Sequence, residues 1–365
     1  MTAKLSDYVA GLERRAHERL RPAVYDFFAG GSGRELTLEA NAAAWRRVPL
    51  LPRVLRDVSS VDTSVRVLGT SLATPVAVAP TAFHGLAHPD GEVASATGAC
   101  GAGALFTLAT RSMCRIEDVA DAARRAGGTW WFQVYVMRDR ELTAALVRRA
   151  VAAGARALVL TADTPEAGRK RRDQDAELIT DPEYLINIGP VPDLSRTGMA
   201  PDVTMTDIGW LRELSGGLPV VVKGVLRADD AAACAEHGAA GVIVSNHGGR
   251  QLDGAVATAV ALPAVAAALR GSTTEVYVDG GIGSGHDVLA ALALGARAVF
   301  LGRPVLWALA CGGGNGVRDL LTGLTSDLAH TMTLAGAADV AALAGTAGAG
   351  VPVSGTTWRG DTVGA

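Results

Sequence analysis

Gly241-Val242-Ile243-Val244-Ser245-Asn246-His247-Gly248-Gly249-Arg250-Gln251-Leu252-Asp253 is a short apolar run followed directly by polar and flexible residues. Its first four residues predict a β-strand that is buried on both faces, as in a parallel sheet covered by helices. The residues that follow supply a base, two glycines and a guanidinium. Side chains directly beyond a buried parallel strand commonly form ligand sites, so this stretch predicts the floor of an active site.

Similar apolar runs recur along the chain, most of them about 22 to 34 residues apart, which is the length of one strand plus one helix. With the opening run, extended to 241–247, there are eight, and the others are residues 75–82, 104–110, 130–136, 157–163, 219–225, 275–281 and 298–304. The segments between them, such as 142–153 and 228–237, are rich in alanine, the best helix former. Eight strand-then-helix units predict an α/β protein with one (β/α)8 barrel, the TIM barrel, rather than two domains.

The segments outside the repeating units have different patterns, and the barrel is predicted over 71–345. Residues 1–70 carry an amphipathic stretch and a glycine-rich turn, which predict an N-terminal helical cap. About 55 residues separate the fourth and fifth strands, and the polar insertion at about 171–207 predicts a mobile lid loop over the catalytic face. Residues 346–365 show little periodicity and predict a loosely ordered tail.

Composition narrows the classes of partner. The chain has 365 residues, 49% of them hydrophobic, with 34 basic against 37 acidic residues and no long block of either sign. This balance argues against a nucleic-acid or membrane surface and favours a small-molecule ligand. The cysteines are scattered without CxxC or metal-ligand spacing, which predicts free thiols, no metal site and a cytoplasmic location. No apolar signal segment opens the sequence.

Two glycine-bearing turns after the last two strands predict anion binding. The run Asp279-Gly280-Gly281-Ile282-Gly283 and the pair Gly302-Arg303 place backbone N–H groups and a guanidinium near helix N-termini. Barrels of this type often bind phosphate there. The alternative is that these glycines only permit tight turns. A dinucleotide fingerprint is disfavoured, because that motif belongs to the first turn of a doubly wound sheet.

Five side chains at predicted strand ends suggest acid–base chemistry. Lys223 ends an apolar strand, so its ammonium needs either a neighbouring carboxylate or a cofactor that becomes negative. His247 suits a general base, since a pKa of about 6.5 leaves much of it neutral at pH 7. Asp163 is positioned to orient it. The planar guanidinium of Arg250 can donate two hydrogen bonds to a carboxylate. Tyr135 could hydrogen-bond an oxygen of the same ligand.

The chain resembles the FMN-dependent α-hydroxy-acid oxidases and dehydrogenases, such as glycolate oxidase, lactate oxidase and mandelate dehydrogenase, over nearly its whole length. The opening motif is highly specific for that family. The other matching motifs are Pro80-Thr81-Ala82, Ala87-His88-Pro89-Asp90-Gly91-Glu92, Phe132-Gln133-Val134-Tyr135, Thr161-Ala162-Asp163-Thr164-Pro165 and Lys223-Gly224-Val225.

The resemblance implies FMN as cofactor and a role for each matching residue. His247 would be the catalytic base paired with Asp163, Arg250 and Tyr135 would hold the substrate, and Lys223 would face flavin N1 and the C2 oxygen. Asp279 would bind the ribityl hydroxyls. The remaining residues implied in cofactor binding are Pro80, Thr81, Ala82, Ala109, Gln133, Thr161, Ser245, Gly280, Gly281, Gly283, Gly302 and Arg303.

Several positions depart from the family pattern. Phe27 replaces a substrate-binding tyrosine, as in hydroxymandelate oxidases, and predicts a larger or aromatic, mandelate-like substrate. Lys170 replaces a substrate-binding arginine, although a shift of one residue would give Arg169 that role. Gly283 replaces a phosphate-binding arginine and predicts weaker FMN binding. Arg111, where relatives carry a bulky residue, either meets a larger or acidic substrate or points outward.

We therefore expect oxidation of an (S)-2-hydroxy acid to the 2-oxo acid, with O2 or a quinone as acceptor and O2, giving hydrogen peroxide, favoured. A homo-oligomer, a tetramer in many relatives, is implied by resemblance. Three alternatives stay open. They are a flavin-dependent isomerase acting on a phosphorylated substrate, such as a type 2 isopentenyl-diphosphate isomerase, an FMN oxidase of a larger natural-product intermediate, and a degenerate barrel that binds without turnover.

Overall fold

The computed structural model describes residues 8–172, 186–189 and 193–348. The strands in these ranges are β1 (Val65–Val67), β2 (Thr70–Leu72), β3 (Val76–Val78), β4 (Phe106–Leu108), β5 (Trp130–Val134), β6 (Leu158–Thr161), β7 (Val220–Val225), β8 (Gly241–Val244), β9 (Glu275–Asp279) and β10 (Ala298–Leu301). Strands β3 to β10 are parallel to their neighbours and close into a barrel in chain order, with β10 pairing to β3. The predicted (β/α)8 barrel is confirmed.

The α-helices of the described ranges comprise three that precede the first strand and one after each barrel strand. They are α1 (Tyr8–Arg19), α2 (Pro22–Ala29), α3 (Leu36–Trp45), α4 (Gly91–Gly101), α5 (Ile116–Arg125), α6 (Arg140–Ala152), α7 (Thr206–Leu214), α8 (Ala228–Glu236), α9 (Thr258–Ala268), α10 (Gly285–Ala293) and α11 (Arg303–Ala335). Helix α11 is interrupted at Gly312 and Gly313, whose backbone angles are not helical. Its second half lies so close to α4 that a Cβ on Gly98 would come within 2.2 Å of the Gly314 carbonyl oxygen.

Each of the eight predicted apolar runs contains one barrel strand. All residues of β5 and β8 are buried, as expected for strands covered by helices outside and by packed side chains within. The observed strands are shorter than the predicted runs, because in every run except 219–225 the last residues lie beyond the end of the strand. Those residues line the carboxyl end of the barrel.

The β1–β2 hairpin closes the opposite end of the barrel, and the sequence reasoning did not foresee it. Val65 and Val67 point inward while Arg66 between them is exposed. These valines pack in one cluster with barrel-interior residues that include Trp131 and Tyr277. The hairpin is fixed to the amino end of β9, since the Leu68 N–H donates to the Glu275 carboxylate at 3.2 Å. A ligand site is therefore left to the carboxyl end.

The N-terminal helices lie against the barrel. The amphipathic pattern predicted a helix, and α1 buries Leu12 and Ala16 as that pattern requires. Residues 173–185, 190–192 and 349–365 lie outside the described residues, so part of the predicted lid and most of the predicted tail cannot be compared with the structure. Within the described ranges, no helix combines the length and the apolar character that a membrane crossing needs.

Candidate active site

A histidine–carboxylate pair lies at the carboxyl end of the barrel. His247 follows β8 and Asp163 follows β6, and the histidine Nδ1 is 2.9 Å from the Asp163 Oδ1. The Thr164 hydroxyl donates to the same carboxylate oxygen at 3.2 Å. His247 has a φ of 58°, a left-handed conformation that non-glycine residues seldom adopt outside functional sites. With Nδ1 bonded to Asp163, Nε2 is the ring nitrogen left to accept a proton from a ligand.

The charges around this pair favour a neutral imidazole beside an ionised carboxylate. Burial and the positive charge of Lys223 lower the pKa of His247 below its ordinary value, against the opposing effect of Asp163. Burial opposes ionisation of Asp163, but His247 and Lys223 lower its pKa to about 2. A neutral histidine that gains a proton next to a fixed carboxylate has the properties of a general base.

Lys223 lies on β7, between the strands that carry Asp163 and His247. Its Nζ donates to the Ser245 hydroxyl at 3.0 Å and lies 3.5 Å from Asp279 Oδ2, with the two charged side chains only 5% and 8% exposed. Burial disfavours the ammonium, yet Asp279 and Asp163 raise the pKa of Lys223. The predicted carboxylate partner is therefore present, and Lys223 remains a fixed positive charge.

The second oxygen of Asp279 is the best indication of a polar ligand. Its Oδ1 is buried and has no hydrogen-bond partner within the described part of the chain. Buried carboxylate oxygens in folded proteins almost always accept a hydrogen bond. This oxygen can accept from hydroxyl groups of a bound molecule, as the ribityl chain of FMN would require.

A hydrogen-bonded chain of side chains fixes the ends of β4, β5 and β6. Gln133 donates from Nε2 to the Thr161 hydroxyl at 3.0 Å and accepts at Oε1 from the Thr110 N–H at 3.0 Å. The Thr110 hydroxyl in turn accepts from the Tyr135 N–H at 3.0 Å. Ala109 is buried beside this chain. The predicted residues Ala109, Gln133, Tyr135 and Thr161 are therefore brought together.

Thr81 is held by a histidine that the sequence reasoning missed. Its hydroxyl lies 2.5 Å from His84 Nε2, and the other ring nitrogen of His84 lies 2.7 Å from the Ser95 hydroxyl. Burial lowers the pKa of His84, which keeps the ring neutral. Pro80 and Ala82 flank Thr81 and are partly buried. The signal for His84 was its position three residues after the candidate cofactor residue Thr81.

Arg250 reaches the N-terminal helices. One nitrogen of its guanidinium donates to the carbonyls of Phe27 at 2.7 Å and Gly30 at 2.9 Å. The guanidinium carbon lies 5.1 Å from the centre of the Phe27 ring. Phe27 is 8% exposed. The last turn of α2 therefore forms one wall of the site.

Arg303, the first residue of α11, lies beside Arg250. Its guanidinium donates to the carbonyls of Phe28, Gly248 and Gly30, each at 2.9 Å. Burial, followed by repulsion from Arg250, lowers the pKa of Arg303 to about 9. All three acceptors are neutral. Binding of an anion by Arg303 stays a prediction.

The glycine turn after β9 is required by close packing. Gly280 and Gly281 have φ values of 88° and 81°, and a Cβ on Gly281 would lie 2.6 Å from the backbone of Asn41 in α3. The Gly283 N–H donates to Asp287 at 3.0 Å. Gly302 precedes α11 directly. Gly280 and Gly281 are therefore needed for a tight turn, and phosphate binding by the glycine turns stays a prediction.

Lys170 and Arg169 differ in their surroundings. Lys170 is partly buried, its backbone pairs with Ser32, and its Nζ donates to the Gly168 carbonyl at 3.3 Å. Arg169 is exposed. Lys170 is thus the more buried of these two cations, and a substrate-binding role for either stays a prediction.

Gln251 fixes the loop that carries Asp163, although the sequence reasoning gave it no role. Its Nε2 donates to the carbonyls of Asp163 at 2.8 Å and Glu166 at 3.0 Å, and its Oε1 accepts from the Gly168 N–H at 3.0 Å. Its place inside the opening motif was the available signal. Gln251 therefore positions the carboxylate that binds His247.

Comparison with known proteins agrees with this geometry. A family model described as FMN-dependent dehydrogenase matches residues 16–347. An L-lactate oxidase from Nostoc sp. is 43% identical over 89% of this chain and 93% of its own length. The 4-hydroxymandelate oxidase of Amycolatopsis orientalis is 43% identical over 92% of this chain and 96% of its own.

A solved structure matches equally well. Mandelate oxidase with (S)-2-phenylpropionate has a TM-score of 0.81 to this chain, with 44% sequence identity, and the match covers 92% of this chain and 96% of that one. Sequence, fold and the geometry of the barrel's carboxyl end therefore agree. This chain belongs to the FMN-dependent dehydrogenase family.

Proposed function

We propose that the protein uses FMN to oxidise an (S)-2-hydroxy acid to the corresponding 2-oxo acid, with O2 as electron acceptor and hydrogen peroxide as second product. The observation that carries this proposal is the pairing of His247 Nδ1 with Asp163 at 2.9 Å, next to the buried charge of Lys223. Relatives named as oxidases of lactate and 4-hydroxymandelate support the reaction class and the acceptor.

The residues present fit FMN. When bound, FMN supplies a two-electron acceptor. Lys223 offers a fixed positive charge for the side of the flavin that becomes negative, and the unpartnered Asp279 oxygen offers an acceptor to ribityl hydroxyls. A phosphate at Arg303 would give that buried guanidinium the anion that its carbonyl partners do not supply.

The proposed roles of the other residues follow from charge and position. His247 removes a substrate proton with Nε2, and Asp163 stabilises the imidazolium that results. Arg250 and Tyr135 hold the substrate carboxylate. Lys170 adds a cation to that side of the site, as a point charge in place of a planar fork.

Phe27 supports a substrate with a larger or aromatic side chain. Its ring meets the Phe83 ring at a centroid distance of 5.8 Å, edge to face, so the wall near the substrate is apolar. A phenylalanine offers no hydroxyl to a small hydroxy acid such as glycolate. Mandelate oxidase structures at 44% identity support the same substrate class.

The organisation of the chain forms part of the proposal. We infer that residues 1–70 act as a cap over the mouth, which the bonds from Arg250 and Arg303 to the end of α2 support. A homo-oligomer is proposed by resemblance to the family. A cytoplasmic location is proposed on the four free cysteines, Cys100, Cys114, Cys234 and Cys311.

An anaerobic visible spectrum tests the central claim. The FMN-loaded protein is mixed with 2-hydroxy acids that include glycolate, lactate, mandelate and 4-hydroxymandelate, and bleaching of the oxidised-flavin band is followed in time. We expect His247→Ala to slow this bleaching at least about 100-fold, the usual minimum contribution of a general base. His237→Ala, at an exposed histidine after α8, is the matched control. Unchanged bleaching in His247→Ala, or no bleaching by any hydroxy acid, contradicts the proposal.

A further inference from the structure

We propose that Arg111 binds a second anionic group, carried on the side chain of the hydroxy acid, so that the preferred substrate is a dianion. This inference rests on the proposed function, because it concerns the substrate of that same site. It concerns the end of the substrate opposite the carboxylate that Arg250 and Tyr135 hold.

The backbone of Arg111 is fixed at the rim of the site. It follows Thr110, whose N–H and hydroxyl both bond to Gln133, at 3.0 and 2.7 Å. Its own carbonyl accepts from the Phe83 N–H at 3.2 Å. Phe83 packs on Phe27 in the apolar wall. Arg111 therefore lies where the side chain of a bound hydroxy acid would extend.

The guanidinium of Arg111 has no protein partner among residues 8–172, 186–189 and 193–348: no hydrogen bond, ion pair or ring contact joins it to another side chain or carbonyl there. It is nevertheless partly buried. The arginine Arg303, by contrast, makes three bonds to carbonyls. A cation removed from water without a counter-charge is unfavourable unless a ligand supplies one.

An electrostatic interaction links Arg111 to Tyr135. Burial lowers the pKa of Arg111, and Tyr135 opposes this effect. Arg111 in turn lowers the pKa of Tyr135, which burial raises overall. Arg111 therefore interacts electrostatically with a residue proposed to hold the substrate.

Within the described residues, the charged groups of the site differ in what compensates them. Lys223 is compensated by Asp279, and Asp163 faces His247. Arg250 is assigned to the substrate carboxylate. Lys170 donates to the Gly168 carbonyl, and Arg303, which bonds to three carbonyls, is assigned to phosphate. The positive charge of Arg111 is then available for a second carboxylate. Suitable substrates are 2-hydroxy acids whose aliphatic or aromatic side chain ends in a carboxylate.

Matched substrate pairs test the proposal. The rate of flavin reduction and kcat/KM are measured for 4-carboxymandelate against 4-methylmandelate, and for (S)-2-hydroxyglutarate against (S)-2-hydroxyhexanoate. In the unmodified enzyme we expect at least one dianion to exceed its neutral counterpart about tenfold to hundredfold, the range for a hydrogen bond to a charged group. In Arg111→Met the ratio of dianion to neutral counterpart should fall to about one. Arg111→Lys should retain part of the preference, since lysine keeps the positive charge but lacks the planar guanidinium.

Arg115→Met is the matched control, because Arg115 lies in the same segment but is mostly exposed and faces Glu117 at 3.6 Å. Its preference ratio should equal that of the unmodified enzyme. A second readout is the affinity of the corresponding 2-oxo acids, measured by the change that they cause in the flavin spectrum. We expect Arg111→Met to weaken binding of the dicarboxylate selectively.

The outcomes separate the two proposals. If neutral hydroxy acids reduce the flavin and neither dianion is preferred, or if Arg111→Met lowers both members of a pair alike, the assignment of Arg111 is overturned while the proposed function stands. If no hydroxy acid of either kind reduces the flavin, the proposed function fails. In that case, the affinities of the 2-oxo acids with and without a second carboxylate still decide whether Arg111 binds that carboxylate.

Discussion

Asn41 in α3 and Asn246, which directly precedes His247, exchange two amide hydrogen bonds, of 2.8 and 2.7 Å. Both side chains are buried. Asn246 also accepts from the Gly249 N–H at 3.2 Å, and Asn41 accepts from the Thr258 N–H at 3.3 Å. The N-terminal helices and the loop that carries His247 are thus held as one unit.

Truncating either asparagine should therefore be costly. We expect Asn41→Ala to lower the free energy of unfolding by about 1 to 3 kcal/mol, because it removes two hydrogen bonds from the buried Asn246 amide, which keeps only those to Val256 and Gly249. The double variant with Asn246→Ala should lose less than the sum of the two single variants. Chemical denaturation measures all three, with the exposed Asn315→Ala as control. Strict additivity would show that the pair is not coupled.

Lys223→Met should lower the midpoint potential of the bound flavin. The ammonium is buried and kept charged by Asp279 and Asp163, so it favours the reduced, more negative cofactor. We expect a decrease on the order of tens of millivolts, since 30 mV corresponds to about 1.4 kcal/mol for a two-electron couple. Lys223→Arg keeps the charge and should keep most of the potential. Anaerobic dye titration gives the values, and equal potentials in all three proteins would exclude this role.

The pH dependence follows from the histidine–aspartate pair. Because the pKa of His247 is lowered, the base should stay neutral, and flavin reduction fast, down to a pH below about 6.5. Asp163 has its pKa lowered to about 2, against about 3.9 in the unfolded chain. Its contribution to stability, of the order of 2 kcal/mol, is present above about pH 4 and is lost as pH falls toward 2. Stopped-flow measurements of flavin reduction against pH test the first statement. Acid denaturation tests the second, because Asp163→Asn should lack the loss of stability at low pH.

Gly224→Ala should disable the site through its backbone. Gly224 has a φ of 108°, and a Cβ there would lie 2.5 Å from the Asp163 Cβ. The clash should push the carboxylate away from His247 and reduce the rate of flavin reduction more than it reduces stability. Gly154→Ala is a matched control, since its φ is 93° and nothing lies within 4 Å. Equal effects of the two substitutions on the reduction rate would refute the argument.

Phe27→Tyr should change substrate preference. The ring lies under Arg250 at the wall of the site, so an added hydroxyl can donate to the carboxylate of a small substrate. We expect kcat/KM for lactate relative to mandelate to rise about fivefold or more, as one hydrogen bond to a charged group permits. Phe28→Tyr, at the next position, is the comparison. A ratio that does not move would show that Phe27 lies away from the substrate.

The sequence predicted the barrel and most of the candidate site for one physical reason. Parallel strands begin and end at common edges, so polar residues such as Asp163, Lys223 and His247, each at or directly beyond the end of an apolar run, had to meet at one rim. The apolar runs were long and regular enough to be recognised without any tertiary information.

What the sequence did not predict depends on contacts between distant segments. The strands of the β1–β2 hairpin have three residues each, too few for a clear period of two. Apart from the Gly248 carbonyl, the carbonyls that Arg250 and Arg303 bind come from the end of α2, more than 200 positions away. The partial burial of Arg111 likewise depends on tertiary packing, and the sequence alone left both a substrate-facing and an outward-pointing side chain open.

The hairpin that closes the amino end gives the two ends of the barrel separate tasks. Val65, Val67 and Leu72 fill space beneath the inner aromatic residues and touch none of the groups assigned to chemistry. We therefore expect substitutions in the hairpin to change the stability of the fold, and substitutions at the carboxyl end to change which 2-hydroxy acid is preferred. Substitutions at the amino end can therefore be used to raise the melting temperature, and substitutions at the carboxyl end to change substrate preference, with little interference between the two.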